Sequence, residues 1–380
     1  MRIHFNQAIT GNRYNYRSTN TSALYTTASF SNAPKTNLDL PQVNPAYFSN
    51  ISFKRNIDAD FLLKQTKHLR CAYSGRLLLP QNEFKEICQK LERRTNTQEV
   101  VNLLQNYEKF MHETELAIFG KIKEAKHKNK CDLQDILKEL QPEALVRLKE
   151  KQISIIKSTD PIIEKLSPSV ADLVRLIRDN ALAKIEDNTF GRQPPLEMIK
   201  TVKAKGADYN RIIKIYQTWY KLPNSARDED AFIVKYARKT HLEIARRLLC
   251  PSMATIEHIV PTSRKKKNSD FLGNMILVSA RFNNERHSMP LDEYIMLNQD
   301  IDMRRHLQKY IDLVIREIQR PNSDFSHCLS YPEKIRKAIA KETSGKINLR
   351  TDALILTNAQ KKALKAPEKL ANKFIVTKNS

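Results

Sequence analysis

A chain of 380 residues, 41% of them hydrophobic, has the length for about two or three domains and the apolar content for a real core. Its 65 Lys and Arg against 42 Asp and Glu give a formal charge of +23 and a pI near 9.7, so a polyanion is the expected partner, nucleic acid ahead of a membrane surface. No apolar run is long enough to span a bilayer, the start MRIHFNQAIT lacks a signal-peptide core, and five scattered cysteines without a CxxC pair exclude a disulfide framework. These features point to a reducing compartment and a cytoplasmic location, with secretion as an effector the alternative.

Residues 1–56 are rich in Asn, Ser, Thr and Tyr, with turn formers at Gly11-Asn12 and Asn44-Pro45, and read as a disordered leader. In residues 57–80 a short helical signal, Asp58 to Leu69, precedes Cys71-Ala-Tyr-Ser-Gly75 and Arg76-Leu-Leu-Leu-Pro80, which resemble a turn joining two short strands. From Gln81 to Leu249 apolar residues recur at three and four spacing, as in Val100, Val101, Leu103, Leu104, Tyr107, Phe110 and Met111. That pattern predicts an inserted lobe of about six to eight helices, punctuated at Pro142, Ser158 to Pro161, Ser167-Pro168, Gly191 to Pro195 and Pro223-Asn224. Arg227 to Leu249 reads as one helix behind a Ser225-x-x-Asp228 cap, with Lys235, Arg238, Lys239 and Arg246 along one side. The stripe of Trp219, Tyr216 and Tyr220 suits a core better than a base-stacking platform.

Within residues 250–290 the periodicity changes. Thr255 to Val260 alternates like a strand, Asn274 to Val278 is a second short apolar run, and Arg281 to His287 makes a helical turn or two. Helices resume at Ser288, where Pro290 and Asp292 mark a start, and continue through residues 291–341; residues 342–380 read as a frayed basic tail. The expected fold is mainly α (α+β): a helical protein around a small β-hairpin and helix.

The stretch 257–290, EHIVPTSRKKKNSDFLGNMILVSARFNNERHSMP, carries the chemistry. It resembles the HNH nucleases, in which an acidic residue and His share one strand, an Asn opens the next, and Asn or His follows on a helix. Asn274 stands 16 residues after His258 and Asn283 stands 9 after Asn274 (274 − 258 and 283 − 274), as that family's hairpin and helix require. Cys71-x-Tyr-x-Gly75 is a second point of similarity, displaced far upstream by the inserted lobe.

The resemblance implies a ββα-metal fold and single-metal hydrolysis of DNA to 5′-phosphate and 3′-hydroxyl ends. His258 would be the general base, since an imidazole can take a proton from water at neutral pH. Glu257 and Asn283 would hold Mg²⁺ or Mn²⁺ through hard oxygens, and His287, four residues on along the helix, would complete the site as in colicin-type relatives. Asn274 would orient the catalytic His. Arg264, Lys265, Lys266 and Lys267 in the hairpin loop, with Arg281 and Arg286, are the candidate nucleic-acid contacts.

The chain departs from the family pattern in three places. Glu replaces the commoner Asp at 257, Arg264 to Lys267 replace a Gly-Gly, and the positions of two zinc-binding CxxC pairs hold Cys71, Ser74, Ser279 and Phe282. No structural zinc is expected, with packing around Tyr73 and Phe282 in its place. The alternatives are an RNA-directed nuclease, as a toxin or defence effector, and a catalytically silent nucleic-acid-binding protein.

Overall fold

The computed structural model describes residues 57–352 except 95, 96, 127–131, 262 and 264–270. The chain is mainly helical with one small antiparallel sheet. Helix α1 (Ile57–Lys64) passes through a 3-10 turn at Gln65–Lys67 to the Cys71–Gly75 turn. The lobe then holds ten α-helices among the described residues: α2 (Gln81–Glu92), α3 (Thr97–Gln105), α4 (Glu113–Lys126), α5 (Leu133–Lys157), α6 (Asp160–Ile163), α7 (Pro168–Glu186), α8 (Gln193–Thr201), α9 (Gly206–Tyr220), α10 (Glu229–Tyr236) and α11 (His241–Leu249). The hairpin β1 (Ala254–His258) and β2 (Met275–Ser279) follows, then α12 (Ala280–Arg286), α13 (Leu291–Leu297), α14 (Met303–Gln319) and α15 (Tyr331–Glu342). No helix among the described residues is long and apolar enough to cross a membrane.

Several expectations need correction. The lobe has more helices than the expected six to eight, because short polar breaks divide the apolar pattern more finely than its prolines do. Pro142, read as a break, lies inside α5, which buries Leu133, Ile136 and Leu137 before it and Ala144, Leu148 and Ile156 after it. Packing on both sides overrides the helix-breaking tendency of the ring. The single helix expected from Arg227 to Leu249 is two. Asp228, not Ser225, caps α10 by accepting from Ala231 N at 3.0 Å, and a Thr240–Glu243 capping box starts α11. The strands expected around the Cys71 turn reduce to an isolated parallel bridge between Leu79 and Met253. Of the expected frayed tail, Ile347 and Leu349 are buried in the core beside α14 and α15; residues 353–380 and the leader 1–56 lie outside the described residues.

Trp219, Tyr216 and Tyr220 are core residues, and the Trp219 indole donates to Thr159 Oγ1 at 3.2 Å. One apolar core surrounds the hairpin with α1 and α13 to α15, a second joins α2 to α5 with α10 and α11, and a third lies under α6 to α9. The hairpin pairs in register Glu257↔Ile276 and His258↔Met275. A two-stranded hairpin alone would be marginal and would leave β2 an open edge. Three groups close that edge: Ala72 N donates to Leu277 O at 2.9 Å, Tyr310 Oη lies 3.2 Å from Leu277 N, and Tyr331 Oη donates to Met275 O at 2.9 Å. The Cys71 turn is therefore part of the sheet's support despite its distance in sequence. Gly75 there has φ +67°, and a Cβ would lie 2.6 Å from His306 Nδ1, so both conformation and space call for glycine.

Candidate active site

Strand β1 places Glu257 and His258 on opposite faces. Glu257 is buried at 3% exposure while His258 stays partly exposed. Helix α12 packs on the hairpin and sends Arg286 under it. The Arg286 guanidinium, itself 1% exposed, donates to Glu257 Oε1 at 2.6 Å, to Tyr73 Oη at 3.2 Å, and to the carbonyls of His258 at 2.7 Å and Ile259 at 2.6 Å. Its Nε donates to Met289 O at 3.1 Å.

On the other side of the same backbone, Asn274 is fully buried. Its amide accepts from Val260 N at 2.9 Å and donates to Val260 O at 3.1 Å, and its own carbonyl accepts from Ile259 N at 2.8 Å. Arg286 and Asn274 thus fix the chain from His258 to Val260 at five backbone groups. The His258 imidazole hangs from backbone with little freedom to move.

Asn283 uses Nδ2 to donate to Ile256 O at 3.0 Å, tying α12 to β1, so its amide oxygen remains as a hard ligand atom. Asn284, which would replace it if the helix began a residue later, is exposed. Glu257 Oε2 is buried and has no hydrogen-bond partner, a cost of about 1–3 kcal/mol that a cation would offset. A carboxylate oxygen and an amide oxygen are donor types that Mg²⁺ and Mn²⁺ take alongside waters and phosphate oxygens. Among the described residues, no three His, Cys, Asp or Glu side chains gather around a possible metal.

Three further expectations change. His287 does not continue the helix: its φ of 49° and ψ of −119° end α12, so its exposed side chain loses the four-residue register with Asn283. Arg286 cannot meet a phosphate, being buried with every neighbour inside the protein. Arg281, its side chain 10% exposed, lies 3.3 Å from Glu285 Oε1 and 3.8 Å from Glu113, which makes it a structural cation. Arg264 to Lys267 lie outside the described residues.

Tyr73 meets Phe282 edge to face at 6.4 Å between ring centres and Tyr294 at 5.7 Å. His112 packs on the Phe282 ring at 5.8 Å, and burial, with Arg281 and Arg76 nearby, pushes its imidazole down to about 3.

Sequence reading missed the clamp on α12. Arg227, in the lobe between α9 and α10, makes a two-point contact with Glu285 at 2.8 and 2.5 Å and also donates to Asn298. The Tyr294 hydroxyl adds a bond to Glu285 at 3.2 Å. Burial alone would raise the Glu285 carboxyl, but Arg227 and Arg281 hold it below the usual range. Arg227→Ala should destabilise the protein by about 2 kcal/mol in urea unfolding, and Arg227→Lys should recover only part, since an ammonium cannot make the fork contact. An unchanged unfolding midpoint in Arg227→Ala would dismiss the clamp.

Glu257 behaves differently. Burial outweighs the single guanidinium beside it and pushes its carboxyl up to about 7 from an ordinary 4.5. The folded protein then binds this proton more tightly than the unfolded chain does. The resulting stability is complete below the unfolded value and is lost as pH rises through the folded one. Wild type should therefore lose stability relative to Glu257→Gln between about pH 4.5 and pH 7, measured as urea midpoints. Parallel profiles for the two proteins would mean that Glu257 is already charged throughout that range.

No protein-family model, curated protein or solved structure matches this chain.

Proposed function

We propose that the protein is a metal-dependent endonuclease of the HNH type that hydrolyses phosphodiester bonds of DNA. The observation that supports this most is the hold on His258: two buried polar side chains fix the backbone from His258 to Val260, and the imidazole remains partly exposed. Core packing has no need of such a device, whereas a general base must be held in reach of its proton.

In this reading His258 takes a proton from water, the resulting hydroxide attacks phosphorus, and the P–O3′ bond breaks. The departing 3′ oxygen takes its proton from solvent, leaving 5′-phosphate and 3′-hydroxyl ends. Glu257, through Oε2, and Asn283, through its amide oxygen, would hold Mg²⁺ or Mn²⁺, whose charge would stabilise the developing negative charge on phosphate. Asn274 positions His258. Because Arg286 offsets part of the Glu257 charge, the substrate's phosphate would supply much of the attraction for the ion.

That ion pair also favours a second reading, binding without cleavage, since it occupies the one carboxylate of the site. Incubation of the purified chain with supercoiled plasmid and with a structured RNA, in Mg²⁺, Mn²⁺ or EDTA, separates the readings. Metal-dependent nicking of plasmid supports the proposal, cutting confined to RNA transfers it to the other polymer, and salt-sensitive binding without cutting in either metal replaces it with the second reading.

A further inference from the structure

Helix α14 packs one side into the hairpin core through Met303, Leu307, Tyr310, Ile311, Val314, Ile315 and Ile318. Its opposite side is exposed and polar along its length: Arg304, Arg305, Lys309, Asp312, Arg316, Gln319 and, just past the end, Arg320. Arg305, Lys309, Asp312 and Arg316 follow one another at helical spacing and so share a face.

What sets this face apart is the run of bases without a carboxylate partner on a single helix. Some lobe bases lie against acids, as with Arg147 and Lys151 on Asp230 or Arg178 on Asp160. Arg304, Arg305, Lys309 and Arg316 carry no ion pair among the described residues, while Arg320 is shared with Glu317. Further positive charge borders the helix. His68, on the segment that also exposes Lys67 and Arg70, lies 3.9 Å from Glu317, and exposed Arg350 exchanges backbone bonds with Gln308.

Arg305, Lys309 and Arg316, three cations without an ion pair on one face of a helix, repel one another and invite an anion. The midpoints of the pairs Arg305/Lys309 and Arg316/Arg320 are about 16 Å apart along the axis, which spans the ~12 Å major groove once side-chain reach is included. Asp312 falls between the pairs, over the groove and away from either phosphate line; its carboxylate accepts from Gln308 at 2.8 Å. The face has no exposed large apolar side chain to insert into a bilayer, which sets it apart from membrane-surface helices.

We infer that this face of α14 is a contact surface for the phosphate backbones of duplex DNA, gripping both strands across a major groove. It deepens the nucleic-acid reading without depending on cleavage.

The test compares the full chain with a variant carrying Arg305→Gln, Lys309→Gln and Arg316→Gln, and with a charge-matched control carrying Lys165→Gln, Lys184→Gln and Lys205→Gln on the lobe. Binding to a labelled duplex is followed by anisotropy in EDTA across a KCl series, with unfolding midpoints to verify folding. The α14 variant should bind about tenfold or more weakly, and its log–log salt slope should fall by about 2 to 3, near 0.9 for each phosphate that is no longer neutralised. The lobe control should keep the wild-type slope. Equal weakening in both variants, or an unchanged slope in the α14 variant, would overturn the inference. So would α14-dependent binding to vesicles of phosphatidylserine and phosphatidylcholine without binding to duplex. Because EDTA suppresses cutting, a protein that never cleaves can still pass this test, and a nuclease can still fail it.

Discussion

Replacing Arg286 with Met is expected to destabilise the protein by about 3–5 kcal/mol, the range seen when one partner of a buried ion pair is removed. The residue neutralises Glu257, and it also satisfies the Tyr73 hydroxyl and three backbone carbonyls, those of His258, Ile259 and Met289. Met fills much of the volume and can replace none of these bonds, so each acceptor becomes a buried unsatisfied group. Arg286→Lys should rescue poorly, because one ammonium cannot span five acceptor residues at once. The destabilisation should also grow with pH. Arg286 is what keeps the Glu257 carboxyl from rising beyond about 7, so without it the variant goes on losing stability as pH rises past the point where the wild-type carboxyl is already charged and paired. Urea unfolding at about pH 5.5 and pH 8 measures both effects. A destabilisation under about 1 kcal/mol, or one independent of pH, would show that the interior accommodates the charge by another route.

The hairpin and α12 are legible in sequence because their signals are local. Alternation from Thr255 to Val260, the apolar run from Asn274, and the helical turn from Arg281 to His287 each declare themselves within a few residues, and the observed elements begin and end within about two residues of those limits. The link between the Cys71 turn and the sheet is also legible, through its motif.

What cannot be read is what the chain does across long separations. Arg227 and Glu285 are 58 residues apart and Arg286 and Tyr73 are 213 apart, and neither pair leaves a periodic trace. Arg281 and Arg286 read as phosphate contacts in sequence because a basic residue near a nuclease motif is usually exposed. Their partners, Glu285 and Glu257, become recognisable only once α12 is laid against β1. His287 misleads for the opposite reason: a helical register extends in sequence one residue past the place where the backbone turns left-handed. The α14 face does not stand out in sequence because an amphipathic helix with a charged outer side is ordinary, and the missing acids become evident only when neighbouring elements are in place.

The same structure assigns work to the inserted lobe. Arg227 reaches out of it to grip α12 through Glu285, and α12 in turn bonds the hairpin through Asn283 and Arg286. A disturbance of the lobe near Arg227 is expected to reach α12 first and β1 through the Asn283 and Arg286 bonds, while Asn274 holds the segment just after β1.

The central claim, that His258 is the base of a nuclease, is tested most directly by plasmid nicking in Mg²⁺ with wild type and His258→Ala side by side, alongside their unfolding midpoints. Removing a general base should slow nicking by about 10² to 10⁴-fold. Stability should change little, because Arg286 and Asn274 hold the backbone at this position and the side chain is only partly buried. Equal nicking rates in two folded proteins, or a slower rate explained by an unfolded variant, would contradict it.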